Sequence, residues 1–401
     1  MSRRNEPKTD EDAAIITHYL QNRRSGHERP YEREAKRLLC PAGGRQAMGA
    51  AEGPVQDNLP GMGEIPFPAP SNYRFTFIDL FAGIGGFRMA FQNLGGKCVF
   101  SSEWDDQAKK TYLANYGEVP FGDITQERTK GFIPNDFDIL CAGFPCQAFS
   151  LAGKRLGFAE TRGTLFFDVA DILRRHQPKA FFLENVKGLV VHDKGRTLRT
   201  ILNTLDEVGY DVPDPQIVNA MHFGVPQHRE RIYIVGFRKD LGIDKKDFSY
   251  PEQKGITKHW IDVREERPVP AKYYLSTQCK QTLINHKARH EAKGHGFGYD
   301  IIPDDGIAHA IVVGGMGRET NLVIDFRQTD LTPTTRIKGE VNKQGWRKMT
   351  PREWARLQGY PDNFKIVVAD ASAYKQFGNS VAVPAIQATA AQLLTALGPN
   401  I

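Results

Sequence analysis

The first candidate for chemistry is one cysteine, Cys146, in the segment AGFPCQAFS at 142–150. The apolar run 137–142 before it predicts a strand, so the thiol is expected on a loop at the carboxyl edge of a sheet, where open α/β sheets bind ligands. A lone cysteine is most often a small buried hydrophobic residue. As a thiolate it is a nucleophile. The neighbouring segments decide between these two interpretations.

A carboxylate is expected at the same edge, and two arginines precede another predicted strand. Glu184 follows the apolar run 180–183, so its carboxyl is expected at the same edge of the sheet as the thiol. Arg229 and Arg231 lie two residues apart at the start of the predicted strand 231–237, which places them on one face. Arginines are usually solvated or salt-bridged. A thiol and a carboxyl that converge in this way suit one small planar substrate.

A second set of residues indicates a nucleotide-type pocket. Phe81, Gly83 and Gly85 lie in FIDLFAGIGG at 77–86, between a predicted strand and a predicted helix, and Glu103 ends the next strand. Glycines allow close backbone approach to a ligand, and a carboxylate at that strand end accepts ribose hydroxyls. The spacing G-x-G-G fits a ligand with ribose and adenine better than a dinucleotide, although such turns often serve packing only. Asp123, after the next apolar segment, adds a carboxylate for an adenine amino group.

Alternating strands and helices must position these residues. Predicted strands cover 75–81, 97–101, 137–142, 180–183 and 231–237, and predicted helices cover 87–94, 107–115 and 165–175. This alternation predicts an α/β fold with a mostly parallel sheet and helices on both faces. Helical periodicity returns at 351–358 and 383–397.

The chain divides into four predicted segments. Residues 1–72 form an N-terminal extension and linker, with helices expected from Thr9 and over 31–39, and the Gly-, Ala- and Pro-rich stretch 40–70 favours a loosely packed peripheral cover. The first part of the α/β domain spans 73–240. Residues 241–349 are less regular and rich in glycine, typical of a small loop-rich domain, and 350–401 return to the α/β domain.

Composition limits the class of protein. The 401 residues carry a formal charge of +6, which is compatible with a nucleic-acid partner without requiring one. Five cysteines without a CxxC pair argue against a disulfide framework and a zinc site, so we expect no metal. We find no run of the roughly 18 apolar residues that a membrane span needs and no signal-peptide pattern, so we expect a cytoplasmic protein without a membrane partner.

Taken together and in this order, the segments resemble the bacterial DNA cytosine-5 methyltransferase family. The resemblance covers 75–237 and 349–383 and rests on the glycine turn, GFPCQ at 143–147, ENV at 184–186, QxRxR at 227–231, RExxRxQG at 352–359 and QFGNSV at 376–381. It implies a Rossmann-like S-adenosylmethionine-dependent methyltransferase domain. Residues 241–349 then occupy the place of the target-recognition domain. The extension before Phe75 has no counterpart in minimal members.

The resemblance also implies roles for the residues. Cys146 would form a covalent bond to cytosine carbon 6, and Glu184 would hydrogen-bond ring nitrogen 3 and the exocyclic amine. Arg231 would contact the cytosine carbonyl oxygen, and Arg229 would help to position Cys146, Glu184 or the target nucleotide. S-Adenosylmethionine would leave as S-adenosylhomocysteine. The positions that match the family's cofactor contacts are Phe81, Gly83, Gly85, Glu103, Trp104, Asp123, Ile124, Pro145, Leu165, Asn379 and Ser380, with Trp104 stacked on adenine.

Double-stranded DNA is the implied partner. Residues 147–163 match the family's mobile active-site loop, and 334–336 match its short threonine motif. The expected DNA contacts are Gln147, Ser150, Lys154, Arg155, Arg162, Thr334, Thr335 and Arg336. We expect the modification enzyme of a restriction-modification system, with a cognate endonuclease as candidate partner, or a solitary methylase. The protein is expected to be a monomer associated with the bacterial nucleoid.

Three other functions remain as alternatives. A tRNA cytosine-5 methyltransferase usually carries its nucleophile in a Pro-Pro-Cys context, whereas Phe144 precedes Pro145 and Cys146 in this chain. An idle DNA-binding protein is disfavoured because Cys146, Glu184 and Arg231 are all present. The glycine spacing disfavours a nicotinamide-dependent oxidoreductase. An isotope-transfer assay separates these functions.

Overall fold

The computed structural model describes residues 9–23, 29–39, 64–145, 165–296, 298–314, 318–332 and 339–401. The chain forms two compact units. The first comprises Met1–Val218, Arg231–Pro251 and Ile386–Ile401, and the second comprises Asn219–Glu230 and Glu252–Ala385.

The helices and strands follow the predicted alternation along the chain. The helices are α1 (Asp10–Asn22), α2 (Glu32–Leu39), α3 (Gly86–Asn93), α4 (Asp106–Tyr116), α5 (Glu127–Lys130), α6 (Leu165–His176), α7 (Arg196–Glu207), α8 (Thr277–Glu291), α9 (Pro351–Leu357), α10 (Asp370–Asn379) and α11 (Val383–Leu397). The strands are β1 (Phe75–Leu80), β2 (Gly96–Ser102), β3 (Ile139–Gly143), β4 (Ala180–Val186), β5 (Tyr210–Asp211), β6 (Gln216–Asn219), β7 (Gln227–His228), β8 (Glu230–Arg238), β9 (Ala308–His309), β10 (Leu322–Ile324) and β11 (Trp346–Lys348).

A seven-stranded sheet organises the first unit. Its order is β2-β1-β3-β4-β8-β5, and β6 also pairs with β8. The strands β2, β1, β3 and β4 run parallel, whereas β8 is antiparallel to β4 and β5 is antiparallel to β8. The predicted α/β fold with a mostly parallel sheet is therefore confirmed.

Helices cover both faces of this sheet. Successive residues of a strand point to opposite sides, so neighbouring residues of β1 pack against different helices. On one face, Ile78 of β1 joins a hydrophobic cluster with Phe166 of α6 and Ile201 of α7. On the other face, the Phe77 ring lies 5.2 Å from the ring of Phe91 in α3. Strands buried on both sides read as near-continuous apolar runs, as those of this sequence do.

The described part of the N-terminal extension, α1 and α2, packs into the core of the first unit. The Thr9 hydroxyl caps α1 by accepting the Asp12 N–H at 3.1 Å, as a helix start at Thr9 predicts. Ile15 and Tyr31 are 0% exposed and belong to the main core cluster. The extension therefore contributes to the core of the first unit.

The second unit is irregular, as expected for a loop-rich segment. It contains the antiparallel pair β10–β11 and the short parallel pair β7–β9. Its interior relies on a buried ionic group, in which Arg347 donates to Asp325 at 3.0 Å and to Glu353 at 2.8 Å. Removing one member would leave an uncompensated buried charge, which is strongly destabilising.

One apolar stretch is long and hydrophobic enough to cross a membrane by length and composition. It is Asp370–Asn400, and 56% of its most apolar window is buried inside the protein. Burial of this extent is typical of core helices, which share the same composition.

Candidate active site

The glycine turn between β1 and α3 has an unusual backbone. Phe81, Gly83 and Gly85 have φ values of 55°, 55° and 81°. Glycine adopts this left-handed region readily, whereas a phenylalanine rarely does, and such strained residues cluster at functional sites. A Cβ on Gly83 would meet no described atom within 4 Å. The turn therefore offers exposed backbone to a ligand.

Glu103 ties this turn to the end of β2. Its Oε2 accepts the Gly83 N–H at 2.8 Å, and its Oε1 accepts the N–H groups of Trp104 and Asp105 at 2.8 and 2.7 Å. Burial raises the pKa of the Glu103 carboxyl, although these three N–H groups act in the opposite direction. Each carboxylate oxygen has further lone pairs, so Oε2 retains the capacity to accept a hydroxyl.

Two more predicted cofactor residues follow Glu103. The side chain of Trp104 is 77% exposed, which leaves the flat face of its indole open to a planar ligand. The Glu103 N–H donates to the Phe121 carbonyl at 2.8 Å, so the segment that carries Asp123 and Ile124 is attached to the same strand end. Asp123 Oδ1 accepts the Thr125 N–H at 2.9 Å, and Ile124 is 3% exposed.

Asp79, in the middle of β1, is a polar residue to which the sequence analysis gave no role. Its carboxyl is 1% exposed, and neither oxygen has a hydrogen-bond partner among the described residues. Burial raises the pKa of Asp79 to about 8, although Arg88 acts in the opposite direction. A buried acceptor without a donor usually holds a water molecule, binds a ligand or remains protonated.

Glu184 and Arg231 meet at the edge of the sheet because β8 runs antiparallel to β4. Glu184 pairs with Gly143 on β3 and with Tyr233 on β8, and Val186 pairs with Arg231. This register brings Arg231 Nε to 3.1 Å from Glu184 Oε1. The Glu184 side chain is 10% exposed. The carboxyl is therefore held in a fixed orientation by an opposite charge.

Asn185 is a positioning residue that the sequence analysis quoted without assigning a function. Its Nδ2 donates to the Phe144 carbonyl at 2.8 Å, and its Oδ1 accepts the Val186 N–H at 2.8 Å. Phe144 lies two residues before Cys146. The amide therefore fixes the chain where β3 leads into the cysteine segment. Its place directly after Glu184 was the available sequence signal.

Arg229 is held inside the second unit. Its guanidinium donates to the carbonyls of Ile311 at 3.1 Å and Ser380 at 2.5 Å. Gln227 assists by donating to the Leu357 carbonyl at 2.8 Å and accepting the Ile311 N–H at 3.0 Å. These contacts fix the backbone near the predicted cofactor residues of this unit.

Those two cofactor residues differ in exposure. Asn379 is exposed, whereas Ser380 is 8% exposed and its Oγ lies 2.7 Å from the Tyr360 hydroxyl. Gln358 donates to the Phe377 carbonyl at 2.7 Å. The end of α10 is therefore fixed by a hydrogen bond to a backbone carbonyl and by a hydrogen bond to the Ser380 side chain.

Several predicted site residues lie outside the described residues. They are Cys146, Gln147, Ser150, Lys154, Arg155 and Arg162 in 146–164, and Thr334, Thr335 and Arg336 in 333–338. The flanking residues are described: Pro145 is exposed, and Leu165 begins α6. Within the described ranges, no group of three or more His, Cys, Asp or Glu residues is arranged to hold a metal.

Comparison with known proteins identifies the family of the chain. The family model of C-5 cytosine-specific DNA methylases matches residues 75–395. The chain is 73% identical over 326 residues to the type II methyltransferase M.HpaII of Haemophilus parainfluenzae, covering 81% of this chain and 90% of the relative. It is 40% identical over 318 residues to M.HhaI of Haemophilus parahaemolyticus, covering 78% and 91%.

Solved structures share the fold. The S. pombe Dnmt2 methyltransferase matches with a TM-score of 0.58 at 18% identity, over 81% of this chain and 99% of that chain. At this identity the likeness concerns the fold alone. The family match spans most of the chain, and the identity to type II methyltransferases is high. The chain therefore belongs to the C-5 cytosine-specific DNA methylase family.

Proposed function

We propose that the protein methylates carbon 5 of a cytosine flipped out of one short duplex sequence, with Cys146 as covalent nucleophile. Membership of the family makes it a DNA cytosine-5 methyltransferase, and the family generally uses S-adenosylmethionine and a covalent cysteine. The assignment of residues is carried by the 3.1 Å contact between Arg231 and Glu184, at the strand end next to the segment that leads to Cys146.

The first unit has groups that suit the cofactor. Glu103 Oε2 retains acceptor capacity for a ribose hydroxyl, Trp104 presents an exposed ring for adenine, and Asp123 lies on a segment attached to the same strand end. When bound, S-adenosylmethionine supplies the electrophilic methyl group that carbon 5 takes up. Phe81, Gly83, Gly85, Ile124, Pro145 and Leu165 complete the proposed contacts in this unit, and Asn379 and Ser380 those of the second unit.

Each residue proposed around the cytosine has a separate role in the reaction. The Cys146 thiolate forms a bond to carbon 6, and the electron pair of the 5,6 double bond makes carbon 5 nucleophilic. Glu184 hydrogen-bonds nitrogen 3 and the exocyclic amine, which stabilises the ring as charge develops. Arg231 orients Glu184 and contacts the carbonyl oxygen. After methylation the proton on carbon 5 leaves to solvent, the bond to Cys146 breaks and the thiolate is restored.

Arg229 holds a proposed cofactor segment of the second unit in place. Because its guanidinium is engaged by backbone carbonyls, we assign it the positioning of the Asn379–Ser380 segment. This role replaces contact with the target nucleotide, one of the roles that the family resemblance offered.

Flipping a base costs a few kcal/mol, which contacts with the protein must offset. We assign these contacts to Gln147, Ser150, Lys154, Arg155 and Arg162, and sequence recognition to 241–349 with Thr334, Thr335 and Arg336. M.HpaII and M.HhaI are type II methyltransferases, so a restriction-modification system with a cognate endonuclease is the proposed functional context. The site of action is the DNA of the bacterial cytoplasm, and a monomer suffices for one cytosine per event.

Transfer of labelled methyl groups tests the proposal. Purified protein is incubated with labelled S-adenosylmethionine and either duplex DNA or tRNA, and 5-methylcytosine is then mapped at base resolution. We expect label at one short DNA motif. Label on tRNA alone, or on neither nucleic acid, contradicts the proposal.

A further inference from the structure

A buried arginine supports the helix that follows the glycine turn. Arg88, in the first turn of α3, is 0% exposed. It donates to Glu118 Oε1 at 2.7 Å and to the Tyr112 hydroxyl at 3.1 Å, and its guanidinium carbon lies 4.8 Å from the centre of the Tyr116 ring. A buried charge is tolerated only with such partners. The position of α3 therefore depends on the segment 112–118.

Tyr116 packs directly against the glycine turn. Its hydroxyl donates to the Gly85 carbonyl at 2.7 Å. A Cβ on Gly85 would come within 2.3 Å of the Tyr116 ring. The shape of the turn therefore depends on where Tyr116 lies.

The N-terminal helix α1 contacts both supports through one side chain. Gln21 Oε1 accepts from Arg88 Nη2 at 3.1 Å, and Gln21 Nε2 donates to the Tyr116 carbonyl at 2.7 Å. The oxygen and the nitrogen of this one amide therefore bind two residues, Arg88 and Tyr116, that support the glycine turn.

Two buried neighbours in α1 hold the same region. Thr17 Oγ1 accepts the Val119 N–H at 3.0 Å. His18 Nε2 accepts the Ser101 N–H at 3.2 Å and lies 3.2 Å from Glu118 Oε1. Thr17 and His18 are 2% and 0% exposed. These two residues, one turn before Gln21, therefore attach the helix to Ser101 of β2 and to the segment 118–119.

From these contacts we propose that α1 is a positioning element of the cofactor pocket, in which Gln21 fixes the glycine turn through Arg88 and Tyr116. Its contribution is affinity for the methyl donor, whereas duplex binding and the chemical step depend on other residues. Gln21 is a positioning residue rather than a catalytic one. The inference rests on the proposed function, because it takes S-adenosylmethionine as the ligand of the turn.

The variant Gln21→Met tests this role, since methionine keeps the length of the side chain and removes both hydrogen bonds. We expect the Kd for S-adenosylmethionine, measured by calorimetry on the full chain, to rise roughly threefold to tenfold. This is the effect of about one net hydrogen bond, because only a part of the free energy of the two lost bonds acts on the cofactor pocket. The KM for the donor should rise in parallel, whereas kcat at saturating donor and the Kd for cognate duplex should stay unchanged. Tyr116→Phe, which removes one hydroxyl and keeps the ring, should give the same pattern.

Gln387→Met is the matched control. Gln387 Oε1 accepts from Asn93 at 3.0 Å, at the end of α3 far from the glycine turn, so its loss should leave donor affinity unchanged. Unchanged donor affinity in folded Gln21→Met and Tyr116→Phe would overturn the inference. Equal losses of donor affinity, duplex affinity and kcat would also overturn it, because they would indicate a purely structural role. If the wild type binds no S-adenosylmethionine, the proposed function fails and the inference fails with it.

Discussion

At the scale of single residues, the described cysteines differ in how far their thiols are buried. Burial raises the pKa of Cys98 and Cys141, so both stay protonated and unreactive. Cys279, in α8, is partly exposed and serves as a control. We predict that Cys146→Ala abolishes methyl transfer and leaves duplex binding intact, whereas Cys279→Ala preserves both. Label transfer and gel-shift titration measure the two properties, and turnover in Cys146→Ala would remove that residue from the mechanism.

Asp79 predicts an unusual dependence of stability on pH. Burial raises its pKa from 3.8 to about 8 in the folded protein, so the folded state holds a proton that the unfolded state has lost between these values. The contribution of Asp79 to stability is complete below its unfolded pKa and is lost as pH rises through the folded pKa. Relative to Asp79→Asn, the free energy of unfolding of the wild type should fall across this window, by at most about 1.4 kcal/mol per pH unit.

Urea unfolding at a series of pH values measures this difference. Asparagine mimics the protonated acid, so the variant itself should fold and lack the slope. Parallel pH profiles for the two proteins would show that folding does not raise the pKa of Asp79 and would contradict the prediction.

Residue-level contacts divide into those that the sequence could predict and those that it could not. Glu184 lies at the carboxyl end of an apolar run, where open α/β sheets gather their functional residues. Arg231 stands at the start of its strand and reaches the same edge because β8 runs antiparallel to β4, a direction that the sequence did not predict. Asn185 is different, because its partner is a backbone carbonyl 41 residues away. No local pattern encodes a hydrogen bond of that separation. The unpaired state of Asp79 likewise depends on every element that packs around it.

At the scale of elements, periodicity predicted a part of the helices and strands, and the helix 383–397 agrees with α11 at both ends. The helices α7, α8 and α10 were not predicted. Periodicity also did not predict what α1 packs against. Thr17, His18 and Asn22 are buried although they are polar, and a pattern analysis places polar residues on the outer face of a helix. Their partners, Ser101, Glu118 and Val119, belong to a distant segment.

The glycine turn provides a test at this scale. Gly85, in the turn, and Gly95, after α3, have similar left-handed backbones but different neighbours. Gly85 and Gly95 have φ values of 81° and 87°. A Cβ on Gly85 would meet the Tyr116 ring at 2.3 Å, whereas a Cβ on Gly95 would meet Arg74 at an ordinary 3.6 Å. Both alanine variants pay about 1–2 kcal/mol for the left-handed backbone, and only Gly85→Ala must also displace Tyr116.

We therefore predict that Gly85→Ala lowers the free energy of unfolding further than Gly95→Ala and weakens binding of S-adenosylmethionine. Gly95→Ala should lose stability alone. Urea unfolding and calorimetry separate the two effects. Equal donor affinity in the two variants would show that the turn tolerates a shift of Tyr116.

At the scale of the whole molecule, the predicted chemistry and the predicted specificity come from different stretches of chain. Glu184, Arg231 and most of the proposed cofactor contacts belong to the first unit, which is built on a regular sheet. The segment 241–349 has few regular elements, so the side chains that read base edges depend on how its loops fold. Direct readout requires particular donors and acceptors placed in a groove, and this placement is why the recognised DNA sequence could not be predicted.

Exchange of that segment tests the division. We predict the outcome of replacing 241–349 with the matching segment of M.HhaI, which is 40% identical over its aligned length. The chimera should methylate the DNA site of M.HhaI instead of the site that the unaltered protein methylates. Phosphate contacts position a protein without reading sequence, and base contacts specify, so a chimera that keeps the catalytic residues should retain activity with changed specificity. Base-resolution mapping of 5-methylcytosine measures the outcome, with the reciprocal chimera as control. A chimera that methylates the original site would place recognition in the first unit or in 350–401.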